Sequence, residues 1–190
     1  MSEKSALTLC SSFLLVISVS AAMFSSAQVS PPPRDLNANF VGKWTGQLEY
    51  RDFQSNAQTF LPTWLTVTET PDQKSLQFSY VYDDGPTKTV RELMTVTLDP
   101  ATGKMSFTSN RDHSSDTYDV QGLEEFAKLG RGTLVLTGPG KENDKPVDVR
   151  ITLTLHRNLY TLRKETRHPG EEFKFRDSYT FTRAEPPSGQ

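Results

Sequence analysis

Cysteine is nearly missing from this 190-residue sequence: Cys10 is the only one, and it lies in an apolar N-terminal stretch. If that stretch is removed on export, the mature chain has no cysteine. Disulfides, thiol nucleophiles and cysteine-ligated zinc or iron–sulfur sites are then excluded. Histidine is scarce too. His113, His156 and His168 each fall in or beside an expected turn, and no two are spaced as metal ligands. No excess of one charge exists either: Lys+Arg number 21 and Asp+Glu 23, for a net charge of −2. Without a basic block, nucleic acid or an anionic membrane surface is a poor candidate for the main partner. The chain also lacks a Gly-x-Ser-x-Gly elbow, a phosphate-binding glycine loop and a His-Glu-x-x-His helix, so no catalytic residue is assigned. Finally, helical periodicity is confined to Gly122–Leu129. Parallel strands need helices or long crossovers to connect them, so a parallel sheet is excluded as well.

What is present begins with an export signature. Phe13–Met23 is an apolar run about the length of a signal-peptide core, roughly 7–15 residues, and Ser25-Ser26-Ala27 offers small residues before a cut. Residues 1–27 are expected to be a cleaved signal peptide, which makes the protein periplasmic or secreted, with a bacterial source favoured. The competing reading is a retained anchor, because Leu7–Ala27 carries no charge and approaches the ~20 residues of a spanning helix. After cleavage no membrane span is expected. Pro31-Pro32-Pro33 gives residues 28–38 the character of an extended linker. The domain is expected over 39–184, and 185–190 reads as a disordered tail.

Between these ends the apolar residues alternate. Phe40, Trp44, Leu48 and Tyr50 share one face of a first strand. Leu76, Phe78, Tyr80 and Tyr82 repeat the pattern, as do Val90, Met94, Val96 and Leu98. Val147, Val149, Ile151, Leu153 and Leu155 are the cleanest case, and Phe173, Phe175, Tyr179 and Phe181 close the series. Such period-two runs are half-buried strands. Turn residues separate them at short intervals, among them Asp83-Asp84-Gly85-Pro86, Gly138-Pro139-Gly140 and His168-Pro169-Gly170. The expectation is an all-β fold, an antiparallel up-and-down barrel of about 8–10 strands with at most one short helix. Closure removes both sheet edges, and a barrel of that size is able to enclose one small ligand.

Phe40-Val41-Gly42-Lys43-Trp44 resembles the Gly-x-Trp entry of the lipocalins and of the wider calycin group, which includes the fatty-acid-binding proteins. In that group the tryptophan sits on the barrel floor and a basic residue of the last strand packs across it. Arg183, in phase with Tyr179 and Phe181, matches that position. The resemblance covers 39–183 in architecture and only these two ends in motif. It implies that Gly42, Trp44 and Arg183 form the floor of a barrel with an interior cavity. It also implies a role in carrying or sequestering an apolar small molecule.

Candidate ligand contacts come from the inward faces. Tyr50, Phe78, Tyr80, Met94, Tyr160, Phe175 and Tyr179 would supply apolar and aromatic lining. Glu92, Asp177 and Lys164 are charged yet in phase with apolar neighbours, so each needs a partner, the open end of the barrel or a polar ligand group. The same aromatics could equally fill the core, and a one-residue bulge would turn any of these side chains outward. Trp64 is notable because Leu61, Leu65 and Val67 occupy the other face of its strand. The leading expectation is an exported, non-catalytic barrel that binds an apolar or amphipathic molecule. The alternatives are an envelope interaction module with a plugged barrel, and a barrel enzyme using inward acids such as Glu92 and Asp177. No cofactor, metal or particular protein partner is specified.

Overall fold

The computed structural model describes residues 36–184 apart from 53, 54 and 56. The expected signal peptide, most of the linker and the tail lie outside the described residues. Ten strands and one helix follow in chain order: β1 (Gly42–Arg51), β2 (Gln58–Glu69), β3 (Leu76–Asp83), β4 (Thr89–Asp99), β5 (Lys104–Ser109), β6 (Ser115–Gln121), α1 (Leu123–Leu129), β7 (Gly132–Glu142), β8 (Lys145–Leu155), β9 (Leu159–Arg167) and β10 (Lys174–Arg183). Each strand pairs antiparallel with its chain neighbours, and β1 also pairs with β10, so the sheet closes into a barrel. The fold is therefore the expected closed antiparallel barrel, at the upper end of the anticipated strand number.

Alternation decides which side chains enter. In β8, Val147, Val149, Ile151, Leu153 and Leu155 are buried, while Asp148 is exposed. Burying each large aliphatic side chain contributes about 1.5–3 kcal/mol, and a one-residue slip would move the whole set to solvent. Tight turns hold that register. Asn143 and Asp144, both at positive φ (49° and 61°), join the facing pair Glu142 and Lys145. Asn and Asp tolerate this left-handed geometry better than most residues.

One turn expected from the sequence is in fact strand. Gly138-Pro139-Gly140 lies inside β7, paired with Val149, Asp148 and Val147 of β8. On its other side the ladder to β6 has already stopped at the pair Asp119 and Thr137. Proline lacks a donor, and it is tolerated in a strand where no neighbour needs one. The true turn is the Asn143-Asp144 step that follows.

The end of the barrel where β1 begins is closed by a cluster of side chains. Trp44 and Arg183 are opposite one another in the β1–β10 register, and the guanidinium lies 4.2 Å from the indole centroid. The same guanidinium donates to the carbonyls of Val41 (2.8 Å), Asn39 (2.6 Å) and Arg157 (2.8 Å). It thus ties the chain before β1 to the β8–β9 turn. The indole Nε1 donates to the Phe40 carbonyl at 2.9 Å. The α1 helix covers this end from below, its buried Phe126 stacked on Phe40 at 6.0 Å.

Gly42 explains why the entry motif needs a glycine. Its φ is 136°, a region that disfavours side chains, and a Cβ there would lie 2.6 Å from the Arg183 Nη1. The bare Cα is the space the guanidinium occupies. Gly42→Ala is therefore expected to lower the unfolding free energy by about 1–3 kcal/mol. Denaturant titration measures this, and an unchanged midpoint would show that the close approach carries no strain.

Candidate functional site

Above the floor, aromatic rings fill the interior between β3, β9 and β10. Tyr80 meets Tyr179 at 5.4 Å and Tyr82 at 5.8 Å, and Tyr160 stacks on Phe181 at 5.8 Å. Offset aromatic pairs of this kind contribute about 0.5–1.5 kcal/mol each beyond their burial. Phe78, Tyr80, Tyr160 and Phe181 are all buried. Four of the residues proposed from the sequence as cavity lining, Phe78, Tyr80, Tyr160 and Tyr179, thus stand together in one packed column.

The column ends in a polar line. Tyr179 shares a hydroxyl–hydroxyl hydrogen bond with Tyr82 (3.0 Å), and Tyr82 donates to the Glu92 carboxylate (3.0 Å). Burial holds the Tyr82, Tyr179 and Tyr80 phenols well above the ordinary tyrosine value, so all three stay protonated as donors. Glu92 lies at the open end of the barrel, where it also lines a cleft of about 540 Å³ with Arg91, Leu93 and the β5–β6 turn. Met94 is half-buried and sits between Phe78 and Ser109 in the ladder.

Beside the column, toward β6 and β7, lies a half-open cavity. A cavity of about 510 Å³ is lined by Tyr118, Asp116, Pro139, Gly140 and Val149 on one side and by Glu142, Lys164, Thr166, Arg176 and Asp177 on the other. One local feature borders the space: β6 and β7 share only three ladder pairs, from Asp119–Thr137 to Gln121–Val135, so the strands part above them. Gly138 and Gly140 occupy inward positions of β7, and the room their missing side chains leave is taken by the Tyr118 ring and by Val149, which a Cβ would meet at 2.9 Å and 2.5 Å.

A bulge in β10 populates the site. The register jumps between Phe175, opposite Glu165, and Asp177, opposite Lys164, which leaves Arg176 as the extra residue. This corrects the sequence reading of Phe175. Its ring lies on the outer surface, with the Arg163 guanidinium 4.8 Å from its centroid, because the bulge inverts the alternation below Asp177. Phe173 is likewise outside, between Arg150 (4.2 Å) and Arg167 (4.5 Å). In exchange, Arg176 joins the cavity wall. It forms an ion pair with Glu142 and donates to Thr166 Oγ1 at 2.9 Å, while Thr166 donates to Glu142 at 3.3 Å. The Glu142 side chain is 7% exposed, so its charge depends on these partners, with His168 Nε2 a further 4.0 Å neighbour.

Asp177 and Lys164 differ from that satisfied pair. They face each other on adjacent strands, half-buried, and among the described residues neither has a side-chain hydrogen bond or ion pair. Tyr50 is the ladder partner of Asp177 on the β1 side. Burial raises the Asp177 carboxyl to about 6, against the pull of the Lys164 and Arg176 charges. Among the described residues no group of three His, Cys, Asp or Glu side chains could hold a metal, and the three histidines lie in three separate turns. Trp64 is on the outer face, 47% exposed, as is Phe60 of the same strand at 50%.

Of the site residues, Lys164, Asp177 and Glu92 were legible as inward charges. Glu142, Thr166, Arg176 and Asp116 were not. Arg176 depends on the bulge, and Glu142 on a strand that continues through Gly138-Pro139-Gly140. The available signal was the Gly-x-Gly spacing of two, which leaves neighbouring inward positions of one strand without side chains.

No family model matches the chain, and no curated protein matches it. Seven solved chains match in structure. One is the S-type phycobiliprotein lyase CPES from Guillardia theta, at 10% identity and a TM-score of 0.54, covering 80% of this chain and 92% of that one. This likeness is one of fold alone. It also overturns the expectation that the chain is not an enzyme. The architecture that served as ground for a purely binding role is shared with a lyase.

The Asp177 carboxyl makes stability depend on pH. Its folded-state value lies above the unfolded one, so the folded protein holds the extra proton and stability falls as pH rises from about 4 through about 6. Asp177→Asn removes that fall. Relative to the parent protein, the variant gains about 1–3 kcal/mol between pH 3.5 and pH 8. Parallel urea titrations at the two pH values measure the difference, and equal gains would place the carboxyl in water.

Proposed function

We propose that the chain binds one small amphipathic molecule in the cavity between β6 and β10. The supporting observation is the pair of uncommitted charged groups, Lys164 and Asp177, facing that cavity from adjacent strands. Groups so placed are costly unless something satisfies them, whereas the neighbouring Arg176–Glu142 pair is already complete. Tyr118, Pro139 and Val149 provide an apolar wall for the remainder of the ligand. The aromatic column limits depth. The molecule lies along the β6–β9 side and does not thread down to Trp44. This combination of apolar wall and few convergent polar groups is the usual make-up of a small-molecule site.

The fluorescent amphiphile 1-anilinonaphthalene-8-sulfonate tests this reading. The folded protein is expected to bind it in a one-to-one complex. Lys164→Met keeps the aliphatic stem but removes the charge, and is expected to weaken binding about tenfold or more, in line with the ~1.5–3 kcal/mol of a charged hydrogen bond. Circular dichroism confirms that the variant is folded. Lack of binding, or equal affinity in the variant, would refute the assignment.

We further propose that the protein works outside the cytoplasm, delivered by residues 1–27. The apolar run Phe13–Met23 and the small residues Ser25-Ser26-Ala27 support this. Expressed with its full sequence in a bacterium, the protein is expected in the periplasmic or extracellular fraction, beginning at Gln28 by N-terminal sequencing. Recovery of intact Met1 in the cytoplasm would contradict it.

A further inference from the structure

We propose that the aromatic column is an electron donor: Tyr82 gives one electron to a one-electron oxidant at the open end of the barrel, and its phenolic proton passes to Glu92 in the same step. This is a second activity, independent of the cavity reading.

A phenol gives up an electron readily where a base stands within hydrogen-bond reach of its proton. Its hydroxyl carries a single hydrogen. At Tyr82 that hydrogen points at the Glu92 carboxylate, 3.0 Å away. In the hydroxyl–hydroxyl contact between Tyr82 and Tyr179, also 3.0 Å, Tyr179 is therefore the donor. Tyr82 thus gives to a base on one side and receives from a phenol on the other. Among the described residues no carboxylate, amine or imidazole bonds to the hydroxyl of Tyr80, Tyr160 or Tyr179. Burial keeps those three phenols protonated. The column holds four tyrosines and one charged proton acceptor, and the two meet at Tyr82.

The remaining rings lead toward it. Tyr82 lies 5.8 Å from Tyr80 and 6.5 Å from Tyr179, centroid to centroid. Deeper in, Phe181 lies 6.4 Å from Tyr80 and 5.8 Å from Tyr160, and Tyr160 lies 6.0 Å from Trp44. The two ends of this line differ in charge. At the floor the Arg183 guanidinium sits 4.2 Å from the indole centroid, so a positive indole is opposed there. At the open end Glu92 is negative and exposed. A positive charge on a buried ring is costly, and it is relieved only where a proton departs. An electron lost from any of these rings is therefore made good from Tyr82.

The oxidant is a free radical or a high-potential metal complex. One electron leaves the Tyr82 ring for it, the Oη–H bond breaks, and the proton bonds to Glu92 Oε2. A neutral phenoxyl and a neutral carboxyl remain. Tyr179 still donates to the phenoxyl oxygen, and Glu92 passes the proton to water through the cleft that it lines.

Flash-generated tris(bipyridine)ruthenium(III) tests this on the folded protein. Decay of the oxidant gives the rate, and electron paramagnetic resonance of freeze-quenched samples identifies the radical. A tyrosyl radical is expected, forming more slowly in deuterium oxide. It is expected to be lost in Tyr82→Phe and to form about a hundredfold more slowly in Glu92→Gln, the loss of a positioned base. Circular dichroism checks that both variants are folded.

A radical that persists in Tyr82→Phe, or that disappears in Tyr50→Phe, would overturn the inference by placing the oxidation on another ring. So would a tryptophanyl signal, which leaves the charge at the floor. An unchanged rate in Glu92→Gln would reduce the Tyr82–Glu92 contact to a packing bond.

Discussion

Closure between the first and last strands is the constraint on which this structure depends. A ten-strand meander left open would expose two rows of unpaired backbone groups and would have no enclosed interior. Seven ladder pairs between β1 and β10 prevent this, and the Arg183 guanidinium reinforces them where the chain enters the barrel. It stacks on Trp44 and bonds to carbonyls before β1 and between β8 and β9. Gly42 is part of the same device, because the guanidinium occupies the place of its missing side chain. The floor is thus specified by three residues acting together, and each loses its purpose without the others.

With both edges removed, the interior divides unequally. On the β3 and β10 side, aromatic rings pack from Phe78 to Tyr179. On the β6 and β7 side, beyond the shortened ladder, a cavity remains. The polar groups follow this division. Those next to the column are bonded to one another in the Tyr179–Tyr82–Glu92 line. Those next to the space include the uncommitted Lys164 and Asp177. A completed network and an incomplete one thus stand on neighbouring strands of the same barrel.

The fold was legible because it depends on period-two alternation repeated over many strands, where one error does not change the answer. The β8 run from Val147 to Leu155 sufficed to assign inside and outside, and Trp44 and Arg183 were in phase with their neighbours. The site was less legible because it is built where alternation fails. One extra residue at Arg176 sends Phe175 out and brings a guanidinium in. Gly138-Pro139-Gly140 has the composition of a turn, yet it remains strand because β6 has already left its side. Both events are decided by neighbours distant in sequence, and local propensity carries no record of them.

The three-rung seam between β6 and β7 has a consequence for how the molecule comes apart. Its eleven-rung counterpart between β7 and β8 is far longer, so thermal breathing concentrates along the short line. Parting there does not unravel the hairpins on either side. It unrolls the cylinder into a flat ribbon whose newly bare margins are β6 and β7, and amide protons along those two strands would be the first to trade with solvent. The flank that makes room for a guest is thus also the latch of the container, and whatever spans it from inside would be expected to hold it shut.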